Sequence, residues 1–166
     1  MRKVIVIGCP GSGKSTFARA LRDATNLPLY YLDMIWHKSD KSNITRDEFD
    51  ERMKQILQED AWIIDGNYQR TLEIRLAACD TVFLLDYPME VCLAGAQARV
   101  GMQREDMPWV ETKFDEEFKQ WIEDFSVKQR PQIEELVEKY KGERTIFVFK
   151  SRAESEQYLK SGIDRN

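Results

Sequence analysis

The sequence predicts a three-layer α/β domain built on a five-stranded parallel sheet, and three observations predict it. Short apolar runs recur at residues 4–7, 29–32, 62–64, 81–85 and 144–149, and between them lie segments with helical spacing of apolar residues. Several of these runs are continuous rather than alternating, which suits strands buried on both faces by helices. The first run closes on a glycine-rich turn that leads straight into a helical segment, the start of a right-handed strand–helix–strand crossover.

Taken in order, Val4-Ile5-Val6-Ile7 is the first strand, and a helix is expected over 13–24. Leu29-Tyr30-Tyr31-Leu32 forms a second short strand, introduced by Pro28 and closed by Asp33. The next helix carries a capping box in Thr45 and Glu48, with Ile44 and Phe49 placed as a hydrophobic staple. Met53, Ile56 and Leu57 continue its apolar face. Trp62-Ile63-Ile64 is the third strand, ending in Asp65-Gly66, and residues 81–85 are the fourth, ending in Asp86. A short helix over 71–78 lies between them, and Pro88 starts another that runs to about Arg99. Residues 101–110 are polar, with Gly101 and Pro108 and no periodicity, so they read as a loop. Two amphipathic helices follow, one with a stripe of Phe114, Phe118, Trp121, Ile122 and Phe125, the other with Ile133, Leu136, Val137 and Tyr140. A fifth strand over 144–149 and a helix over 152–160 complete the chain, which is expected to be one domain over 1–166.

Length and composition agree with a soluble globular domain: 166 residues, 42% hydrophobic and 33% charged, with no repeat or low-complexity tract. A formal net charge of −4 argues against a surface made to grip a nucleic-acid backbone, so direct DNA binding is not expected. The three cysteines, Cys9, Cys79 and Cys92, have no metal-ligand spacing and read as reduced thiols, with Cys9 a small tolerated side chain. The apolar opening is too short for a signal peptide or membrane span, which makes the cytoplasm the expected setting.

Gly8-Cys9-Pro10-Gly11-Ser12-Gly13-Lys14-Ser15 fits the phosphate-loop pattern of glycine, four residues, then Gly-Lys-Ser/Thr. Glycines let the backbone curl so that successive N–H groups face phosphate oxygens. The helix that begins there adds the free amides of its first turn, out to Thr16, and the positive end of its dipole. Lys14 offers a full charge to the β- and γ-phosphates, and the Ser15 hydroxyl is a ligand for Mg²⁺. By typical residue usage the four fixed positions co-occur by chance in roughly one such chain in two hundred, and the strand and helix around them make chance rarer still. A nucleoside triphosphate with Mg²⁺, ATP first among candidates, is the expected ligand. No Asn-Lys-x-Asp base-reading segment of a GTPase is present. Asp33, Asp65 and Asp86 stand at strand ends, on the sheet edge where ligands bind in open α/β folds, and suit metal binding and hydroxyl activation.

At residues 62–71 the chain reads W-I-I-D-G-N-Y-Q-R-T, which resembles the adenylate kinase segment where Asp-Gly precedes a substrate-binding stretch. Leu32-Asp33-Met34 resembles the Gly-Asp-Met element of those kinases, and Cys79-Asp80-Thr81 through Asp86-Tyr87-Pro88 their fourth strand. The L-D-x-x-W, W-I-I-D-G-N-Y, T-L-x-x-R-L, R-x-D-M and F-D-x-E-F elements together resemble the bacterial DNA topology modulation proteins, adenylate kinase relatives, over nearly the whole chain. The resemblance implies a nucleoside monophosphate kinase-like P-loop fold, sheet order 2-3-1-4-5, and a short helical lid at about 100–126. It implies Asp65 helping to hold Mg²⁺ through water and Asp33 facing the phosphoryl acceptor; Ser15 and Asp86, from loop and strand-end position, are the other expected metal ligands, and Trp36, Gly66, Asn67 and Tyr68, just past Asp33 and Asp65, the expected acceptor contacts. Arg99 falls at the lid base, where those kinases contact ATP phosphates, and Arg104 and Arg130 are further planar donors for the transferring group. Two departures stand out. Gly95 replaces an arginine usual in those kinases, and Gly66-Asn67-Tyr68-Gln69-Arg70 replaces their Gly-Phe-Pro-Arg run, which argues against AMP as acceptor.

The expected function is therefore phosphoryl transfer from ATP to a nucleotide, nucleoside or other small acceptor. The alternative that the resemblance carries is a nucleotide-dependent regulator with an indirect effect on DNA topology. A plain P-loop hydrolase is a third reading.

Overall fold

The computed structural model describes residues 1–161 and 163. Five strands, β1 (Lys3–Gly8), β2 (Leu29–Tyr31), β3 (Trp62–Asp65), β4 (Thr81–Leu85) and β5 (Thr145–Phe149), form one parallel sheet in the order β2-β3-β1-β4-β5. The helices are α1 (Lys14–Thr25), α2 (Leu32–Trp36), α3 (Arg46–Gln58), α4 (Leu72–Ala78), α5 (Met89–Ala98), α6 (Glu116–Lys128), α7 (Arg130–Tyr140) and α8 (Arg152–Lys160), with a 3-10 turn at Gln69–Thr71. Fold class and strand order both agree with the expectation from sequence.

β3 and β4 are buried throughout and β1 after its first residue, which accounts for the unbroken apolar runs: neither face meets water. β5 lies at the sheet edge and is only partly covered. There Phe83, Phe147, Phe149 and Tyr158 pack with ring centroids 4.9–6.4 Å apart, and Phe17 joins from α1. The capping box of α3 is present in both directions, Glu48 N–H donating to Thr45 Oγ1 at 3.2 Å and Thr45 N–H to Glu48 Oε2 at 2.8 Å. Ile44 and Phe49 of the staple are both buried.

Two local expectations change. The second strand ends at Tyr31, not Leu32, and the chain turns at once into α2, whose first turn holds Asp33. An acidic residue there is favoured by the helix dipole, and Leu32 is buried beneath it. Trp121 leaves the expected stripe of α6 and is 54% exposed, because the helix buries the face of Ile122 and Phe125 and Trp121 sits at its margin. Among the described residues no helix is long and apolar enough to cross a membrane.

Candidate active site

The phosphate loop hangs between the end of β1 and the start of α1. Gly8, Gly11 and Gly13 have φ of +153°, +83° and +93°, and two of them are also needed for space. A Cβ at Gly11 would stand 2.0 Å from the Cys92 carbonyl oxygen of α5, and one at Gly8 2.5 Å from the Leu85 carbonyl oxygen of β4. The first helical bond of α1 runs from Phe17 N–H to the Gly13 carbonyl, so the amides of Gly13, Lys14, Ser15 and Thr16 face outward from the helix end. The Lys14 ammonium donates to the Cys9 carbonyl at 3.2 Å, and Thr16 Oγ1 accepts from Arg19 at 3.2 Å. Pro10 lies at the outer turn of the loop, half-buried. Cys9 is buried beside Cys92 of α5, and the interaction of the two thiols raises the Cys9 pKa and lowers that of Cys92.

At the root of the loop Ser15 Oγ donates to Asp65 Oδ2 at 2.5 Å. Asp65 is buried, and burial, opposed by Lys14 and the Ser15 bond, raises its pKa to about 6. Its other oxygen, Oδ1, and the hydroxyl of Ser12 are buried with no partner. A carboxylate and a hydroxyl in contact, with an orphaned acceptor beside a row of outward amides, fit a Mg²⁺–triphosphate complex. Among the described residues no group of three or more His, Cys, Asp or Glu side chains is placed to hold a metal ion.

Asp86 departs from its expected place among the metal ligands. Its carboxylate pairs with Arg130 Nη2 at 2.9 Å and with the Lys150 ammonium, two cations that tie the end of β4 to α7 and to the end of β5. Arg130 is also held by Glu134 at 2.9 Å.

On the other side of the sheet edge, Tyr68 donates its hydroxyl to Asp33 Oδ1 at 2.7 Å. Trp36 packs edge-on to Phe49 and Tyr68, with centroids 5.7 and 6.4 Å away, and Phe49 stacks on Tyr68 at 5.2 Å. Asp33 and Tyr68 thus present a polar pair against an aromatic wall in which Trp36 is the backing. Asn67 is not part of this wall. Its side chain accepts from Gly8 N–H at 3.0 Å and donates to Gly8 carbonyl at 2.7 Å, spending its amide on clamping β3 to the loop. Gly66 has φ +136°, and a Cβ there would press on Leu32 at 3.0 Å. Arg70, the displaced acceptor-side arginine, is paired with Asp50 through two bonds of 2.8 and 2.6 Å.

Arg99, just past the end of α5, and Arg104, in the segment 101–115 between α5 and α6, are held by acids of that segment. Arg99 Nε lies 3.3 Å from Glu111, and Arg104 lies 3.5 Å from buried Asp106 and 3.8 Å from Glu111. Arg99 also lies over the Phe118 ring at 5.2 Å. Arg19 reaches Asp106 from α1 at 3.4 Å, so this segment is tethered to the helix that carries the loop. A cavity of about 210 Å³ lies under the segment, walled by Val100, Trp109, Phe114 and Phe118.

Sequence reasoning missed Arg75. It is wholly buried, and its guanidinium donates to the carbonyls of Thr71 at 3.2 Å, Gly66 at 2.8 Å, Tyr68 at 3.1 Å and Asn67. It thereby shapes the 66–68 segment, including Tyr68 in its left-handed conformation at φ +36°. The signal was available: an arginine four residues after Thr71, on the apolar stripe of Leu72 and Leu76.

No protein-family model matches the chain, and no curated protein matches it. Solved structures do. A sugar kinase from Janibacter sp. HTCC2649, in an unliganded structure, superposes with a TM-score of 0.54 at 16% identity over 97% of this chain and 91% of that one. A shikimate kinase from Aquifex aeolicus gives 0.52 at 18% identity, over 95% and 91%. A shikimate kinase from Bacteroides thetaiotaomicron gives 0.54 at 15% identity, over 95% and 94%. The fold is that of the P-loop kinases.

Proposed function

We propose that this protein is a Mg²⁺-dependent phosphotransferase that moves the γ-phosphoryl group of ATP to a small acceptor, a nucleoside or nucleotide fitting best. One observation carries the reading. The Ser15–Asp65 pair at the root of the phosphate loop and the Asp33–Tyr68 pair on an aromatic wall stand along one edge of one sheet, a triphosphate half beside an acceptor half.

The loop amides and Lys14 hold the β- and γ-phosphates, with Lys14 turning from the Cys9 carbonyl to phosphate. Ser15 and Asp65 would hold Mg²⁺, which supplies charge neutralisation and orients the phosphates. Asp33 has one oxygen engaged by Tyr68, leaving the other to accept a proton from the acceptor. Arg99 and Arg104 are the donors available to the transferring group once they exchange Glu111 and Asp106 for phosphate, and closure of the lid would exclude water. The resemblance to the DNA topology modulation proteins accords with this chemistry, because the elements that carry it include both halves of the proposed site.

A coupled assay of ADP release with ATP, Mg²⁺ and a panel of nucleosides, nucleotides and small hydroxy acids tests the proposal. At least one acceptor should accelerate ADP release well above the Lys14→Ala variant. A flat response across the panel, with only slow acceptor-independent turnover, would leave a hydrolase instead.

A further inference from the structure

The residues at and just past the end of β3 each hold a different part of the site. Asp65 accepts from Ser15 Oγ at the root of the phosphate loop. Gly66, at φ +136°, lies against Leu32, the residue before Asp33, so closely that a Cβ would stand 3.0 Å from it. Asn67 closes a ring with Gly8, accepting from its N–H at 3.0 Å and donating to its carbonyl at 2.7 Å. Tyr68, left-handed at φ +36°, donates to Asp33 Oδ1 at 2.7 Å. Neighbouring side chains thus serve different neighbours: Asn67 the loop, Tyr68 the carboxylate at the end of β2.

One buried cation holds this strap. Arg75 is 0% exposed, and its guanidinium donates to the carbonyls of Gly66, Asn67 and Tyr68, and to that of Thr71. A planar guanidinium fixes the relative places of the oxygens it binds. Drawing one carbonyl away leaves a buried, charged donor unpaired, and that cost makes residues 66–68 move together. Asn67 and Tyr68 are therefore linked through Arg75 as well as along the chain. A ligand in the loop meets the strap at two points. One is Asp65, through its bond to Ser15; the other is Gly8, whose N–H and carbonyl are both tied to Asn67.

We propose that residues 65–68 are a relay that positions Asp33 in response to a filled phosphate loop, with Asn67 and Arg75 as its positioning residues. Asn67 carries a change at Gly8 into the strap, Arg75 keeps the strap in one piece, and Tyr68 delivers the change to Asp33. The acceptor half is then aligned by occupancy of the triphosphate half, which disfavours transfer to water. This rests on the phosphotransferase reading, and the test separates the two claims.

Fluorine NMR of protein labelled with 3-fluorotyrosine follows Tyr68 directly, its resonance assigned by its absence from Tyr68→Phe. Mg²⁺ and ATP are titrated into the wild type, Asn67→Ala and Arg75→Lys, with ATP affinity measured by calorimetry and folding by thermal melts. In the wild type the Tyr68 resonance should move with the same midpoint as ATP binding. Asn67→Ala loses both bonds to Gly8 and should bind ATP about three- to tenfold more weakly. At saturation its Tyr68 shift should be less than about half that of the wild type. Arg75→Lys keeps a charge but not the planar fork, and its Tyr68 shift should fall likewise. If Arg75→Lys does not fold, Asn67→Ala decides alone. A wild-type Tyr68 resonance that ignores bound ATP, or a full shift in Asn67→Ala, would overturn the relay while leaving the loop intact. Complete loss of ATP binding by folded Asn67→Ala would also overturn it, by placing Asn67 on the ligand itself. A wild type that does not bind ATP would overturn the loop reading and the relay together.

Discussion

Replacing Asp65 with asparagine separates the cost of the site from its use. Asp65 is 5% exposed, and burial raises its pKa to about 6. A rise of that size from the ordinary aspartate range corresponds to about 3 kcal/mol against the ionised form. The sign follows from proton counts: between the unfolded and folded pKa values the folded chain binds more protons, so stability falls as pH rises through this window, from about pH 4 to about pH 6. Above about pH 7 the full cost is present, and in Asp65→Asn it is gone. The variant without ligand should therefore be more stable than the wild type at pH 8. The gain is at most about 3 kcal/mol, or very roughly 6–12 °C in Tm for a chain of this size. Below about pH 4 the two proteins should converge. The Ser15 hydroxyl can still donate to the asparagine carbonyl, so the gain is not offset by a lost bond. With Mg²⁺ and ATP the order should reverse: the wild type gains Tm through its carboxylate, while the variant gains little and loses most of its turnover. Thermal melts from pH 4 to 8, with and without Mg²⁺ and ATP, measure all of this. Equal melting curves at pH 8, or a less stable variant, would refute the claim that Asp65 is an ionised group held at a cost for its ligand.

Other substitutions probe the parts around it. Arg75→Met strips the donors from the Gly66, Asn67 and Tyr68 carbonyls, and unfolding in denaturant should show a loss of about 3–5 kcal/mol. Gly11→Ala drives a Cβ to 2.0 Å from the Cys92 carbonyl oxygen in a left-handed backbone, so ATP binding by calorimetry should be abolished and stability should fall by at least about 2 kcal/mol. Asp33→Asn should lower kcat by about 100-fold or more while ATP affinity stays within about twofold, since the carboxylate is proposed to serve the acceptor half. A matching loss of ATP affinity would move Asp33 out of that half.

The fold was legible because β1, β3 and β4 are covered on both faces and so show as unbroken apolar runs, while Thr45 and Glu48 mark a helix start by local chemistry alone. The phosphate loop was legible for a similar reason: its function is carried by backbone, and glycine is the residue type that backbone shape demands. The acceptor half was less so. Asn67 reads as a ligand residue until the parallel register of β1 and β3 places its amide against both polar groups of Gly8. Asp86 reads as a metal ligand until Lys150, 64 residues on, and Arg130 arrive to neutralise it. The ending of β2 was obscured because Leu32 is as apolar as its neighbours, and only burial under Gly66 shows that it belongs to a helix.

The central claim is that the γ-phosphoryl group is handed to an acceptor rather than lost to water. Phosphorus NMR of ATP turnover with the acceptor panel follows that group directly. Formation of a new phosphoester or diphosphate resonance in step with ADP, absent from Lys14→Ala, is the predicted result. ADP appearing only with inorganic phosphate, whatever acceptor is added, would contradict it.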